Sequence, residues 1–212
     1  MFKNKKPVIA IDGTAGSGKG TLAKSLSKVL DFNHLDTGLL YRIYAFESLN
    51  NKGTEKVNIN INEWFENNSD IEKLRTEKIS QIASQISKLK YVRDSLVTLQ
   101  RNFADNPPGG KGSVIDGRDI GTVIVPMAEI KIFTDANIEI RASRRVKQLN
   151  LNNSQYDLTL KNMIERDNQD SKRKISPLKM SNDCFFIDTS DITELEVFEL
   201  ALTFIKKNAD FI

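Results

Sequence analysis

Nine residues near the amino terminus combine backbone freedom, a cation and a hydroxyl at the spacing that phosphate binding needs. They are Gly13, Thr14, Ala15, Gly16, Ser17, Gly18, Lys19, Gly20 and Thr21. The run fits G-x-x-x-x-G-K, the P-loop pattern, with Gly20 where Ser or Thr usually follows the lysine and Thr21 one place later. Glycines let the backbone wrap closely around phosphate oxygens, so that successive N–H groups point inward. The N-terminus of a following helix adds positive potential. Lys19 can bridge the β- and γ-phosphates of a nucleotide and offset charge as a phosphoryl group moves.

The flanking elements decide whether this is more than a glycine-rich turn. Pro7 to Asp12 is a short apolar run of the kind buried in a parallel sheet, and a helical pattern runs from about Lys19 to Leu30. Strand, loop, lysine and helix agree, so nucleotide binding is expected. The chain lacks an Asn-Lys-x-Asp guanine reader, which argues against a GTPase. At 212 residues it is short for a motor or transporter ATPase. A kinase for a small phosphate acceptor remains.

Further along, strand patterns at Phe32 to Leu35, Ser113 to Asp116, Ile130 to Phe133 and Cys184 to Asp188 alternate with helical ones. Those helical patterns cover Gly38 to Leu49, about Asp70 to Ala104 with a break near Lys88 to Tyr91, and 137–150, 156–170 and 192–207. Such alternation means an α/β fold with a parallel sheet covered on both faces. Asn106-Pro-Pro-Gly-Gly110 reads as a loop. At about 150 residues per domain, the length suits one domain carrying inserted subdomains.

Composition bounds the partners. Charged residues are 28% and hydrophobic residues 39%, ordinary globular usage. The net charge of +3 argues against nucleic-acid coating. Nine basic and four acidic residues lie between Arg141 and Lys174, so that segment carries +5 and the remainder −2. A basic patch this local suits a polyphosphate better than a long nucleic acid. No stretch approaches the roughly 18 apolar residues that span a bilayer. Cys184 is the single cysteine, so no internal disulfide is possible and a reducing compartment is the default. A cytoplasmic monomer with no nucleic-acid or membrane partner is expected.

Three more motifs stand beside the P-loop: Asp36-Thr-Gly-Leu-Leu-Tyr41-Arg42, Asp116-Gly-Arg118-Asp119-Ile-Gly-Thr122 and Arg166-Asp-Asn-Gln-Asp170-Ser-Lys-Arg173. With Ala83-Ser84-Gln and Val92-Arg93, the set resembles bacterial cytidylate kinases of the nucleoside monophosphate kinase family, from about Val8 to Ile205. The resemblance implies a P-loop kinase fold with a five-stranded parallel sheet of order 2-3-1-4-5. It divides one kinase domain into a core (about 1–38, 106–140 and 175–212), a monophosphate-binding insert (about 39–105) and a lid (about 141–174). The implied reaction is ATP-dependent phosphorylation of CMP and dCMP with Mg²⁺.

The resemblance also implies roles. Arg42, Arg118 and Arg173 would hold the acceptor phosphate, a task suited to the planar guanidinium fork, with Lys19, Arg118 and Arg173 as the catalytic set. Asp119 would accept from the exocyclic amino group of cytosine, while Arg93 and Ser84 donate to its ring acceptors. Uracil would turn a carbonyl toward Asp119 and be rejected. Thr37 would support the nucleotide through its hydroxyl, and Asp170 with Arg166 would face the sugar. Tyr41 fits either the acceptor site or the core. Arg141 and Arg145, one helical turn apart, would face ATP as the lid closes and excludes water. Thr21 and Asp116 would support Mg²⁺, Asp116 through water. Asp12 would assist or cap the P-loop region.

Two departures from the family pattern stand out. Only 32 residues separate Arg42 from Arg75, a short insert, and Gln169 stands where relatives often have arginine. His34, Cys184 and Trp64 are read as structural, with Trp64 anchoring the insert. The competing readings are a kinase for UMP or another small acceptor such as a hydroxy acid, and a nucleotide-dependent binding module without turnover.

Overall fold

The computed structural model describes residues 6–50, 64 and 71–211. Strands β1 (Val8–Gly13), β2 (Asn33–Asp36), β3 (Ser113–Gly117), β4 (Ile130–Asp135) and β5 (Phe185–Asp188) form one sheet in the order β2-β3-β1-β4-β5. All four pairings are parallel. The expected strand order is the observed one. β1 and β3 are buried along their whole length, which is why both read as apolar runs without alternation.

The helices are α1 (Lys19–Leu30), α2 (Thr37–Asn50), α3 (Glu77–Ile86), α4 (Lys90–Asp105), α5 (Ile138–Gln148), α6 (Tyr156–Lys172) and α7 (Glu194–Asn208). Side chains of β1 alternate between the two sheet faces. Ile9 and Ile11 pack with Leu22 and Leu26 of α1 and with Val197, Ala201 and Ile205 of α7. Val8 and Ala10 face the other way, onto Ala104 of α4 and onto Ile120 and Ile124 of a π turn (Ile120–Ile124) that follows β3. Burying these apolar side chains stabilises the sandwich by about 25 cal/mol per Å² removed from water.

Local signals set the helix ends. Thr193 and Glu196 make a reciprocal capping box at the start of α7, and the Asn137 side chain accepts from Glu139 N at 2.8 Å at the start of α5. The break between α3 and α4 falls at residues 87–89, overlapping the stretch marked by the sequence and starting one residue before it. It turns the end of α3 and the start of α4 toward one cleft. Trp64 is buried among Leu40, Ile43, Leu74, Val92 and Leu96, and its Nε1 donates to Glu47 Oε1 at 2.8 Å. It anchors this smaller core as expected. Most of the short insert between Arg42 and Arg75 lies outside the described residues.

Candidate active site

A cleft of about 560 Å³ opens above the carboxyl ends of the strands. The P-loop forms its floor, from Ala15 and Gly16 through Gly18, Lys19, Gly20 and Thr21. Gly13, Thr14 and Ser17 sit behind that surface and build the loop. Thr14 Oγ1 donates to Asp135 Oδ1 at 2.5 Å, and Ser17 Oγ donates to Thr14 O at 3.0 Å while lying 2.8 Å from Thr134 Oγ1. A Cβ on Gly13 would stand 2.1 Å from Thr134 O, so only glycine lets β1 leave the sheet here. Gly18 takes φ 81°, the left-handed conformation that starts α1 without a side-chain cap.

Lys19 Nζ donates to Thr14 O at 3.0 Å, folding back over the loop. Its enclosure by protein pushes the ammonium down to about 7. Arg118 adds to that shift and Asp116 opposes it. Arg42 and Arg166 are also lowered, Arg166 to about 10, first by burial and then by neighbouring cations. Arg118 acts on both, and Arg42 and Arg145 act on Arg166. Cations that depress one another in this way form a site that an anion would stabilise.

Asp170 organises the middle of the cluster. Its Oδ2 accepts from Arg118 Nε at 2.9 Å and lies 3.9 Å from Arg166 Nε. Burial works against its ionisation, but Arg118 and Arg166 outweigh it and hold the carboxyl below the usual range. Arg166 Nε itself is buried without a hydrogen-bond partner.

A second group lines the far wall. Arg93 Nη2 pairs with Asp119 Oδ2, and Arg173 Nη2 lies 3.4 Å from Asp119 Oδ1. Arg93 also donates to Ser87 O at 3.3 Å, and its guanidinium stands 5.8 Å from the centroid of the Tyr41 ring. Burial pushes the Asp119 carboxyl up while both guanidiniums oppose it. Ser84 is 6% exposed, lines the cleft, and its Oγ has no hydrogen-bond partner. Tyr41 belongs to both descriptions left open by the sequence. It lines the cleft, and it packs against Ala45, Ile79 and Ala83.

The structure gathers most of the sequence candidates but moves several. Arg173 lines the same cleft as Lys19 and Arg118 and acts with Arg118 on the Asp170 carboxylate, but its side chain joins Arg93 and Asp119 and donates to Ser176 O and Ser87 Oγ. Arg141 is 5% exposed and lies beneath the P-loop rather than along the cleft. Its guanidinium is engaged by Ala136 O, Ala15 O and Asp167 Oδ2 at 2.7, 3.1 and 2.6 Å. Arg144, not singled out in the sequence, lines the cleft and donates to Thr189. Arg145 lines the cleft too, and reaches Glu77 Oε2 and Ser80 Oγ of α3 at 3.3 and 3.2 Å. The Thr37 hydroxyl donates to Asp116 O at 2.8 Å, tying α2 to β3.

Asp12 neither caps nor lines the P-loop. It accepts from Ile120 N and Gly121 N, both at 2.8 Å. His34 is not merely packing: its Nε2 lies 2.7 Å from Asp116 Oδ1 at the cleft wall. Cys184 is half-buried just before β5, where burial pushes its thiol up.

The sequence pattern of the cytidylate kinase family matches residues 9–207. The chain belongs to that family. The cytidylate kinase of Paramagnetospirillum magneticum is 41% identical over 202 residues, covering 92% of this chain and 95% of that one. The cytidylate kinase of Fusobacterium nucleatum is 39% identical over 219 residues, covering 96% and 97%. As a member of the cytidylate kinase family the chain is a phosphotransferase of the nucleoside monophosphate kinase class. Among solved structures, an uncharacterized protein from Eubacterium ventriosum superposes with TM-score 0.59 at 15% identity, over 95% of this chain and 99% of that one. A gluconokinase from Sinorhizobium meliloti gives TM-score 0.53 at 10% identity, over 97% and 94%. At such identities the likeness concerns the fold alone. Among the described residues, no helix is long and apolar enough to cross a membrane.

Proposed function

We propose that this cytidylate kinase family member transfers the γ-phosphoryl group of ATP to CMP and dCMP, giving ADP with CDP or dCDP. One observation carries the choice of acceptor. An unpartnered, buried Ser84 hydroxyl and the buried Arg93–Asp119 pair line one end of a cleft whose other end is a P-loop. An orphaned hydroxyl costs about 1–3 kcal/mol unless a ligand satisfies it. A carboxylate offers about four acceptor positions. Arg93 and Arg173 use one on each oxygen of Asp119 and the Ser176 side chain a third, which leaves capacity for the amino group of cytosine. Ser84 and Arg93 then donate to the ring nitrogen and carbonyl. Uracil would set its carbonyl against Asp119, so the UMP reading is disfavoured.

Transfer breaks the bond from the γ-phosphorus to the bridging oxygen and forms one to an oxygen of the acceptor phosphate. Positioning and charge carry such a reaction. The P-loop backbone and Lys19 hold the donor phosphates. Arg42 and Arg118 hold the acceptor phosphate, with Arg166 adding charge and Asp170 orienting Arg118. Arg173 acts at the base through Asp119. Arg145 closes the cleft from the lid side, and Arg141 contributes by fixing the loop at Ala15. The insert and lid divisions implied by the resemblance fit this assignment: α3 and α4 read the base, α5 and α6 supply cations.

The residues present fit a magnesium ion. Asp116 is 3% exposed, one of its oxygens is taken by His34, and the other lies 3.8 Å from where a Cβ on Gly20 would stand. Glycine at position 20 keeps that space open, and Thr21, the next residue, also lines the cleft. Hard oxygen donors of this kind suit Mg²⁺, held in part through water. When bound, the ion supplies charge neutralisation at the β- and γ-phosphates.

The test is ADP formation from ATP with CMP in wild type and Lys19→Ala. The expected result is rapid turnover in wild type and a loss of about 10²–10³-fold in the variant, the scale of removing one preorganised charge. Full activity in folded Lys19→Ala would overturn the mechanism. ATP binding by folded wild type without turnover on any acceptor would favour the binding-module reading.

A further inference from the structure

Asp12 is 5% exposed, sits beside charged residues of the cleft, and takes no part in the mechanism above. It shares the β1 face of Val8 and Ala10, the face that packs on Ile120 and Ile124. A bare carboxylate on that apolar face is costly. Burial pushes it up to about 7 and the Asp119 carboxylate adds to that, while the two backbone N–H groups and Arg118 work in the other direction. Its oxygens accept separately from Ile120 N and Gly121 N, both at 2.8 Å. Those groups begin the π turn, in which Val125 N donates to Ile120 O at 2.8 Å and Ile124 N to Asp119 O at 3.1 Å. At the turn's other end Arg101 of α4 donates through Nε to Ile124 O at 3.0 Å and through Nη2 to Val123 O at 3.1 Å. The two Asp12 oxygens thus meet the free N–H groups of the turn and a cation meets its free carbonyls, the arrangement that complements a helical dipole.

Arg118 and Asp119 immediately precede this turn. Asp12 immediately precedes Gly13, the first residue of the P-loop, and pairs in register with Gly117. We propose that Asp12 and Arg101 form a two-ended clamp on the π turn, and that this clamp positions Arg118 and Asp119 relative to the P-loop. One residue of β1 thereby borders both the donor loop and the acceptor loop, and sets their separation. Neither Asp12 nor Arg101 lines the cleft; both are positioning residues. The inference rests on the CMP kinase reading given above. A misplacement of about 1 Å in such a reaction costs on the order of 100-fold.

The full chain carrying Asp12→Asn or Arg101→Met tests the clamp. Asparagine keeps the shape but accepts through one oxygen and turns an NH₂ toward the other backbone N–H. Arg101 is exposed, so its replacement leaves the core untouched. For Asp12→Asn the expected result is a loss of about tenfold or more in kcat/KM for CMP and a smaller CMP-to-UMP preference. The ATP dissociation constant, read by competition with a fluorescent ATP analogue, should stay within about twofold. For Arg101→Met the same pattern is expected at about threefold. A purely structural role would lower Tm while leaving the acceptor KM and the base preference of the folded enzyme unchanged. Folded Asp12→Asn with both quantities at wild-type values overturns the proposal. If Asp12→Asn does not fold, Arg101→Met decides, and wild-type values there overturn it. Wild type that turns over no CMP would instead be a failure of the CMP kinase reading.

Discussion

Arg93 of α4 and Asp119 of the loop after β3 form an ion pair whose side chains are 4% and 7% exposed, on the wall of an open cleft. Twenty-six residues apart in sequence, they join α4 to the loop after β3. Asp119→Asn preserves the shape of the site and removes the charge. It leaves the buried Arg93 guanidinium without its ion-pair partner, while Arg173 keeps the Asp170 carboxylate nearby, so a stability loss of about 3–5 kcal/mol is expected in urea unfolding. The CMP-to-UMP ratio of kcat/KM should fall by about 10–100-fold. An unchanged ratio would remove Asp119 from base recognition.

Ser84 separates stability from binding in the opposite way. Its hydroxyl has no partner in the folded protein, so Ser84→Ala should leave stability unchanged or raise it by up to about 1 kcal/mol. The KM for CMP should rise by about three- to tenfold with kcat nearly kept, as for a lost hydrogen bond of about 0.5–1.5 kcal/mol. A Ser84→Ala enzyme with lower stability and unaltered KM would show that the hydroxyl serves the fold.

Two glycines of the P-loop should respond differently to the same added methyl. In Gly13→Ala the new Cβ collides with Thr134 O across the sheet, so β1 and β4 must part; a loss of about 3 kcal/mol or more is expected. Gly18 has nothing within 4 Å of the corresponding position, and only its left-handed φ of 81° opposes the substitution. Gly18→Ala should cost about 1–2 kcal/mol. Equal losses in the two variants would contradict this account of the loop.

Asp12 predicts a pH dependence of stability with an unusual sign. Its carboxyl is raised from 3.8 to about 7 in the folded protein. Between those values the folded state holds a proton that the unfolded state has released. Stability contributed by this group is therefore present at low pH and lost as pH rises toward 7, with a slope of up to about 1.4 kcal/mol per pH unit. Urea unfolding of wild type and Asp12→Asn at pH 5.5 and pH 8 measures it. Relative to the variant, wild type should be more stable at pH 5.5 than at pH 8. A difference independent of pH would contradict the burial of an ionisable Asp12.

The P-loop was legible because its whole logic is local: glycine spacing, a lysine, a strand before and a helix after. The sheet followed from alternating apolar runs, and the motif arginines fell in or near the cleft. What stayed illegible was the direction in which side chains point once helices pack. Arg141 and Arg145 are one turn apart and could face a single ligand, yet α5 lies so that Arg141 tucks under Ala15 while Arg145 lines the cleft. Arg173 sits in a motif for which the resemblance implies phosphate binding, and it lies against Asp119, 54 residues away. His34 looked like strand packing until the sheet brought it to Asp116, 82 residues along the chain. Asp12 was visible as an acid beside the loop. Its partners are backbone N–H groups 108 and 109 residues distant, for which side-chain identity carries no signal.

The central claim is that the cleft reads cytosine and phosphorylates its nucleotide. The most direct measurement is kcat/KM of the wild-type protein for CMP, dCMP, UMP and AMP, with ATP and Mg²⁺, followed by ADP release. The account predicts turnover of CMP and dCMP at least about tenfold above UMP and AMP, the margin expected when a buried carboxylate faces the wrong group. Equal or greater turnover of UMP or AMP would contradict it.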